Sequence, residues 1–162
     1  MVLAHNIITR GLNSIYLQAP HITPPDEAPF CQYMLSWHTL MRTHHAGEEF
    51  DFFPAVEEMA SAKGIMQANV EQHHTFEAGV EEFGDYVESL VNGKEKYDGG
   101  RIMQIIDGFG GALMKHFAEE IPTLEALRVY GEDKMGGMLE VADKEAKKSM
   151  VCSLVVCPLA AG

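Results

Sequence analysis

A histidine followed four residues later by a glutamate occurs in three separate segments of this chain. The three pairs are His44 with Glu48, His73 with Glu77, and His116 with Glu120. Four residues is just over one turn of an α-helix, so both side chains of a pair leave the same helix face and can reach one ion. The pattern therefore favours helices that carry polar, metal-capable side chains on defined faces.

Apolar residues recur at helical spacing along nearly the whole sequence, and no segment alternates with period two over a useful length. We expect four principal helices and two shorter C-terminal ones. Their predicted ranges are about 3–18, 30–60, 65–91, 101–120, 123–130 and 133–150. The proline-rich segment PHITPPDEAP is expected to separate the first helix from the second. Pro54 is expected to kink or divide the second helix, and Pro122 to end or bend the fourth.

Short connections between successive helices favour antiparallel neighbours, so the predicted fold is an all-α, up-down-up-down four-helix bundle. The length of 162 residues suits a single domain. We expect a bundle core over about residues 3–128 and a helical extension over about 129–162. The apolar end of the sequence, SMVCSLVVCPLAAG, either packs on this bundle or marks a truncation.

Four histidines and three glutamates fall on the apolar stripes of the four principal helices. A buried imidazole without a partner costs free energy, and a buried carboxylate costs more unless it is paired or bound to metal. In a bundle these positions converge near the central axis, so they predict a metal site. The candidate ligands are His5, His44, Glu48, His73, Glu77, His116 and Glu120.

The donor types narrow the choice of metal. The three cysteines form no CxxC pair, which disfavours structural zinc and iron–sulfur sites. Calcium and magnesium prefer oxygen ligands alone, whereas mixed imidazole and carboxylate ligands suit iron or manganese, with zinc less fitting. Seven ligands are more than one ion needs. We therefore expect two ions, with Glu48 and Glu120 as the best candidates for bridging carboxylates.

The motifs resemble those of a known family. The segment HHAGEEFDFFP resembles the HHxxEExxxFP signature of the hemerythrin-like, HHE cation-binding family. QHHTFEAG, HFAEE and AHNIITRGL resemble the segments of its third, fourth and first helices, over about residues 3–128. The resemblance implies an antiparallel four-helix bundle around two non-haem iron ions with carboxylate and oxo bridges. By motif position its ligands are His5, His44, Glu48, His73, His116 and Glu120.

Position 77 departs from that family pattern, because oxygen-carrying hemerythrins place a second histidine where this chain has Glu77. If Glu77 binds iron, the site has four imidazoles and three carboxylates. Anionic ligands favour Fe(III), which lowers the reduction potential and favours oxidation chemistry, sensing or iron handling over reversible oxygen carriage. Alternatively, Glu77 lies outside the coordination sphere and leaves an open position on one iron.

Several neighbouring polar residues are not expected to bind the metal. They are His21, His38, His45, His74 and Glu119. His45 and His74 are each rotated by about 100° from a proposed ligand, so they face an adjacent side of the helix. His45 is expected to pair with Glu49 beside the site or at the surface. Glu119 is the alternative to Glu120, because spacings of three and four both reach the same face.

Charge and composition exclude some classes of partner. The formal charge is −12, from 24 acidic and 12 basic residues, and no basic stripe is present to bind nucleic acid or an anionic membrane. The N-terminus lacks the features of a secretory signal, and no apolar run is long enough to span a bilayer. Together with the unpaired cysteines, these features favour the cytoplasm.

Three functions are compatible with the sequence. The first is a di-iron protein that binds or reacts with dioxygen, as an oxidase, oxygenase or peroxidase with an unidentified small substrate or electron donor. The second is a non-enzymatic module that binds iron, oxygen or nitric oxide for sensing, iron homeostasis or iron-centre repair. The third is a helical interaction protein with an incidental polar core. Fold alone does not choose among them.

Overall fold

The computed structural model describes residues 1–131, 137–138 and 140–144, and this part of the chain is helical, without strands. Its five α-helices are α1 (Val2–Gln18), α2 (Glu27–Gly47), α3 (Phe53–Ala60), α4 (Gln67–Val91) and α5 (Gly99–Ala126). The all-α class and the four principal helices of the sequence analysis are confirmed, with ends displaced by a few residues. No helix of the described residues is long and apolar enough to span a membrane.

The two proline predictions for the first half of the chain are confirmed. Short 3-10 turns at Ala19–His21 and Pro24–Asp26 separate α1 from α2. A π-helical turn, Glu48–Phe52, divides α2 from α3, and the N–H of Phe53 donates to the Glu48 carbonyl. Pro54 lies in the first turn of α3, where its missing N–H is not required.

Of the two outcomes expected at Pro122, an end of the fourth helix is wrong, because α5 passes through Pro122 to Ala126. Beside the proline, the Thr123 hydroxyl donates to the Glu119 carbonyl at 2.9 Å. This side-chain hydrogen bond lies in the same helical turn as the N–H that Pro122 lacks. The predicted helix over 123–130 is therefore the end of α5 and a 3-10 turn at Leu127–Tyr130. Most of the predicted helix over 133–150 lies outside the described residues.

The long helices contact one another in a closed cycle: α1 with α2, α2 with α4, α4 with α5, and α5 with α1. Their shared core centres on Trp37, which meets Phe83 edge to face at 5.3 Å and donates from Nε1 to the Ile8 carbonyl at 2.9 Å. A second apolar cluster forms around Phe53 in α3. His73 contacts one aromatic ring of each cluster, Phe53 and Phe76, so the polar residues lie where the two clusters meet.

Close packing of α4 on α5 gives a first test of this fold. A Cβ at Gly79 would lie 2.6 Å from Phe109 Cβ, which the backbone holds in place. We expect Gly79→Ala to lower the free energy of unfolding by about 1–2 kcal/mol in urea titrations followed by circular dichroism. Gly108→Ala, at an open position of α5, is the matched control and should raise it by up to about 1 kcal/mol. Equal stabilities of the two variants would contradict this packing.

Candidate metal centre

Two histidines from neighbouring helices face each other in the interior. His73 of α4 and His116 of α5 are both buried, and their Nε2 atoms lie 3.2 Å apart. Their rings are nearly perpendicular, with centroids 4.6 Å apart. The protonation of these two nitrogens decides what the arrangement can bind.

Hydrogen bonds at the opposite ring nitrogens fix both tautomers. The Gln72 amide nitrogen donates to Glu119 Oε2 at 2.7 Å, so the Gln72 amide oxygen faces His116 and accepts from its Nδ1 at 3.0 Å. His73 Nδ1 donates to Glu49 Oε1 at 2.6 Å, since a carboxylate only accepts. A neutral imidazole carries one N–H, so both Nε2 atoms present lone pairs.

Two lone pairs at this distance repel each other unless a cation or a proton lies between them. Burial lowers the pKa of His116 to about 3, with smaller contributions from the charges of His73 and His5. Burial also lowers the pKa of His73, against the opposing effects of its hydrogen bond to Glu49 and of the Glu49 and Glu120 charges. Both rings are therefore neutral near pH 7, and a metal ion is the cation that suits paired imidazole nitrogens.

A second group of ligand atoms lies beside the first. His5 Nε2 of α1 is 3.0 Å from Glu120 Oε2, and His44 Nε2 of α2 is 3.1 Å from Glu48 Oε1. Both carboxylates are fully buried. His5 Nδ1 and Glu120 Oε1 have no hydrogen-bond partner among the described residues. Buried polar atoms left without partners are costly, and metal ligation would remove that cost for the Glu120 carboxylate.

Glu48 connects the two groups. While its Oε1 faces His44, its Oε2 lies 3.5 Å from His73 Nε2. The potential ligand atoms form two sets, and the atoms of each set all lie within 4.8 Å of one another. The first set comes from His5, His44 and Glu48. The second comes from His45, Glu48, His73 and His116, so Glu48 belongs to both sets. A carboxylate with one oxygen toward each set has the geometry needed to bridge two ions.

His45 belongs to the second set, which the sequence analysis did not expect. Its ring stacks on His73 at 4.2 Å, and its Nε2 is enclosed without a hydrogen-bond partner among the described residues. The expected pair of His45 with Glu49 is not what the structure shows, because Glu49 bonds to His73 instead. The sequence feature that could have indicated this position of His45 is the pair of consecutive histidines in HHAGEE. Both can point into the interior when the buried face of the helix is wider than about 100°.

The structure does not bring Glu77 into either set. Glu77 is exposed on α4 and lines a cavity beside the site, whereas the other six predicted ligands are buried. The choice between Glu119 and Glu120 is clear in position: Glu120 points inward, and Glu119 is exposed and holds Gln72. His21 and His74 are exposed, and His38 is buried against Gly84, outside both sets.

The two imidazoles of α2, like those of His73 and His116, have lowered pKa values. Burial holds the pKa values of His44 and His45 well below their usual range, and repulsion from the neighbouring imidazoles His5 and His73 adds to this. Each set offers neutral imidazole nitrogens and a buried carboxylate, which are the donors of mixed nitrogen and oxygen metal sites, so each set could hold a metal ion.

Comparison with known proteins shows a relative by sequence. The chain is 33% identical over 138 residues to the "Dimeric xanthone biosynthesis cluster protein R11" of Cryptosporiopsis sp. (strain 8999). The match covers 83% of this chain and 51% of the relative, so the chain spans about half the length of that protein. No family model matches the chain. No solved structure matches it either.

The lowered pKa values predict an acid-sensitive fold in the metal-free protein. Between the unfolded pKa of about 6.5 and the lower folded values, the unfolded state binds more protons than the folded one, so stability falls as pH falls. After chelation, we expect the urea midpoint to decrease steadily from pH 7 to pH 4.

His116→Asn should flatten this dependence, because it removes an imidazole whose pKa is lowered to about 3. The matched control is His74→Asn, which removes an exposed imidazole and should leave the slope unchanged. A wild-type midpoint that is constant across this range would show that the buried imidazoles are not held neutral.

Proposed function

We propose that this chain is a hemerythrin-like, non-haem di-iron protein that binds or reacts with dioxygen. The observation that carries the proposal is the 3.2 Å approach of the Nε2 atoms of His73 and His116, whose Nδ1 atoms lie against Glu49 and Gln72. The alternative of a helical interaction protein with an incidental polar core does not account for this pair. The hydrogen bonds at the two Nδ1 atoms fix the tautomers of the rings, and they leave two Nε2 lone pairs that repel each other.

The proposed fold is an antiparallel, up-down-up-down four-helix bundle made of α1, α2, α4 and α5. Support comes from the closed cycle of contacts among these helices and from the short connection between α4 and α5. The α3 helix continues α2 beyond the π-helical turn and covers one end with apolar side chains. Each of the four long helices supplies at least one ligand, so the site depends on their assembly.

In this proposal one iron would be held by His5 and His44, and the other by His45, His73 and His116. Glu48 and Glu120 would supply carboxylate ligands to this pair of ions. The set then contains five imidazoles and two carboxylates, with His45 of α2 supplying the fifth imidazole in place of a residue at position 77. The third carboxylate that would have lowered the reduction potential is absent from this set.

Iron fits the donor set best, with manganese and zinc as lesser alternatives. Two reduced iron ions would supply electrons to dioxygen. Neighbouring side chains orient two of the imidazoles: Glu49 holds His73, and Glu119 acts through Gln72 to hold His116. Such outer hydrogen bonds set the ring orientation and strengthen the donor nitrogens. Phe117 stacks on His5 at 4.2 Å and would hold the orientation of that ring.

We favour oxidase or oxygenase chemistry in the cytoplasm over a non-enzymatic module for iron, oxygen or nitric oxide. The relative's name links that protein to dimeric xanthone biosynthesis, and a biosynthetic setting favours an enzyme over a sensor. The alternative function would use the same metal centre for sensing, iron homeostasis or iron-centre repair. It predicts a stable, reversible oxygen or nitric-oxide complex without turnover of an organic substrate.

Metal content tests the proposal directly. Protein purified from iron-supplied cells, or reconstituted anaerobically with Fe(II), should contain about two irons per chain by elemental analysis, because the ligands form two sets that share Glu48. After exposure to air it should show near-ultraviolet charge-transfer bands of ferric iron. Absence of metal under both conditions would exclude the di-iron function.

Removal of His45 tests the ligand assignment. We expect His45→Ala to weaken retention of one of the two irons against a chelator by about 10–100-fold or more. His74→Ala is the matched control: it removes an exposed imidazole next to His73 and should retain both irons. Loss of iron in Glu77→Gln, with both irons retained in His45→Ala, would instead make Glu77 the ligand.

A further inference from the structure

A cavity of about 200 Å³ lies between α2 and α4 and reaches the second ligand set. Its inner wall includes His45 and His73, both members of that set. Phe50, in the π-helical turn, also lines the cavity and is 79% exposed. A small molecule that entered from this side would lie next to the proposed metal held by His45 and His73.

We propose that this cavity binds a neutral, single-ring aromatic molecule, of which a protonated phenol is the simplest example. The inference rests on the proposed metal centre for its role in chemistry, because it places an organic substrate beside that centre. The binding itself depends only on the side chains that line the cavity, so it can be tested separately.

The size and the walls of the cavity fit one aromatic ring. An apolar cavity of about 150 Å³ is enough to hold benzene, so about 200 Å³ encloses one ring with a small substituent. The walls include Met41, Phe76 and Val80, all at most 5% exposed. A thioether and an aromatic ring both make favourable contacts with a bound ring.

The charges around the cavity favour a neutral ligand over an anion. Glu49, Glu77 and Glu81 contribute carboxylates to its lining, whereas Arg42 contributes the cation, which is already paired with Glu81 at 3.1 Å. Carboxylates repel phenolates and benzoates but accept a hydrogen bond from a phenol hydroxyl. This gives Glu77 a place in recognition, at a position where the sequence analysis expected a metal ligand.

Equilibrium dialysis of the purified full chain against p-cresol, benzoate and benzylammonium tests the inference. We expect p-cresol to bind one site per chain and benzoate to bind at least about tenfold more weakly. Ala46→Trp, at an exposed residue of the lining, should weaken p-cresol binding by about tenfold or more. The matched control is Ala78→Trp, at an exposed position of α4 outside the cavity, and it should bind like the wild type.

Two further variants complete the test. One is needed because the new tryptophan of Ala46→Trp can point away from the cavity, and the other tests the role of charge. Val80→Phe should reduce p-cresol binding from the inner side, in protein whose helical content is shown to be unchanged. Glu77→Gln should narrow the preference for p-cresol over benzoate, whereas Glu82→Gln, outside the lining, should not. Unchanged p-cresol binding in both Ala46→Trp and Val80→Phe would overturn the proposed site. Tighter binding of benzoate or benzylammonium than of p-cresol would overturn the neutral class.

Iron analysis of the same samples separates this inference from the proposed function. Protein without iron that still binds p-cresol, and loses binding in Ala46→Trp, would reject the metal centre and keep the cavity as a binding site. Protein with about two irons whose p-cresol binding is absent, or is insensitive to both cavity variants, would reject the cavity alone.

Discussion

The structure is constrained most strongly by the burial of polar atoms that cannot satisfy one another. His73 and His116 bring two lone pairs to 3.2 Å, and both Nδ1 atoms are already used as donors. His5 Nδ1 and Glu120 Oε1 lie close by without a hydrogen-bond partner among the described residues. Buried polar atoms left without partners are among the most costly groups to bury. Side chains from α1, α2, α4 and α5 must all reach this point, so its chemistry and the arrangement of the helices are linked.

The sequence was sufficient to predict the helical class and most of the inward-facing residues. Four principal helices followed from the 3.6-residue period, and proline marked the divisions around α2. Six of the seven expected ligands are buried, because each lies on the apolar stripe of its helix. The expected end of the fourth helix at Pro122 was wrong, since a proline rule describes a local preference and tertiary packing can keep a helix intact beyond it.

The exceptions, His45 and Glu77, have a common geometric cause. At about 100° per residue, His44 and His45 lie on opposite sides of the centre of the buried face of α2, each about 50° from it. Both therefore point inward. Glu77 lies about 80° from the centre of the buried face of α4 and points outward. The His-x-x-x-Glu spacing alone does not show where a pair lies on its face, and that position decides which member reaches the interior.

The presence of His45 in the ligand set, in place of Glu77, alters the expected chemistry of the proposed centre. A set with five imidazoles and two carboxylates carries less negative charge than one with a third carboxylate, so the argument for a strongly lowered reduction potential no longer applies. The preference for oxidation of an organic substrate would then come from the access of that substrate to the metal centre. The cavity beside His45 and His73 would give a separate approach for an organic molecule, and the acidic groups that line it would disfavour anions.

The most direct test of the central claim is anomalous X-ray scattering at the iron edge from crystals of iron-loaded protein. We expect two peaks about 3.5–4 Å apart, one beside His5 and His44 and the other beside His45, His73 and His116, with Glu48 between them. A single peak, no peak, or peaks at surface carboxylates away from these residues would contradict it.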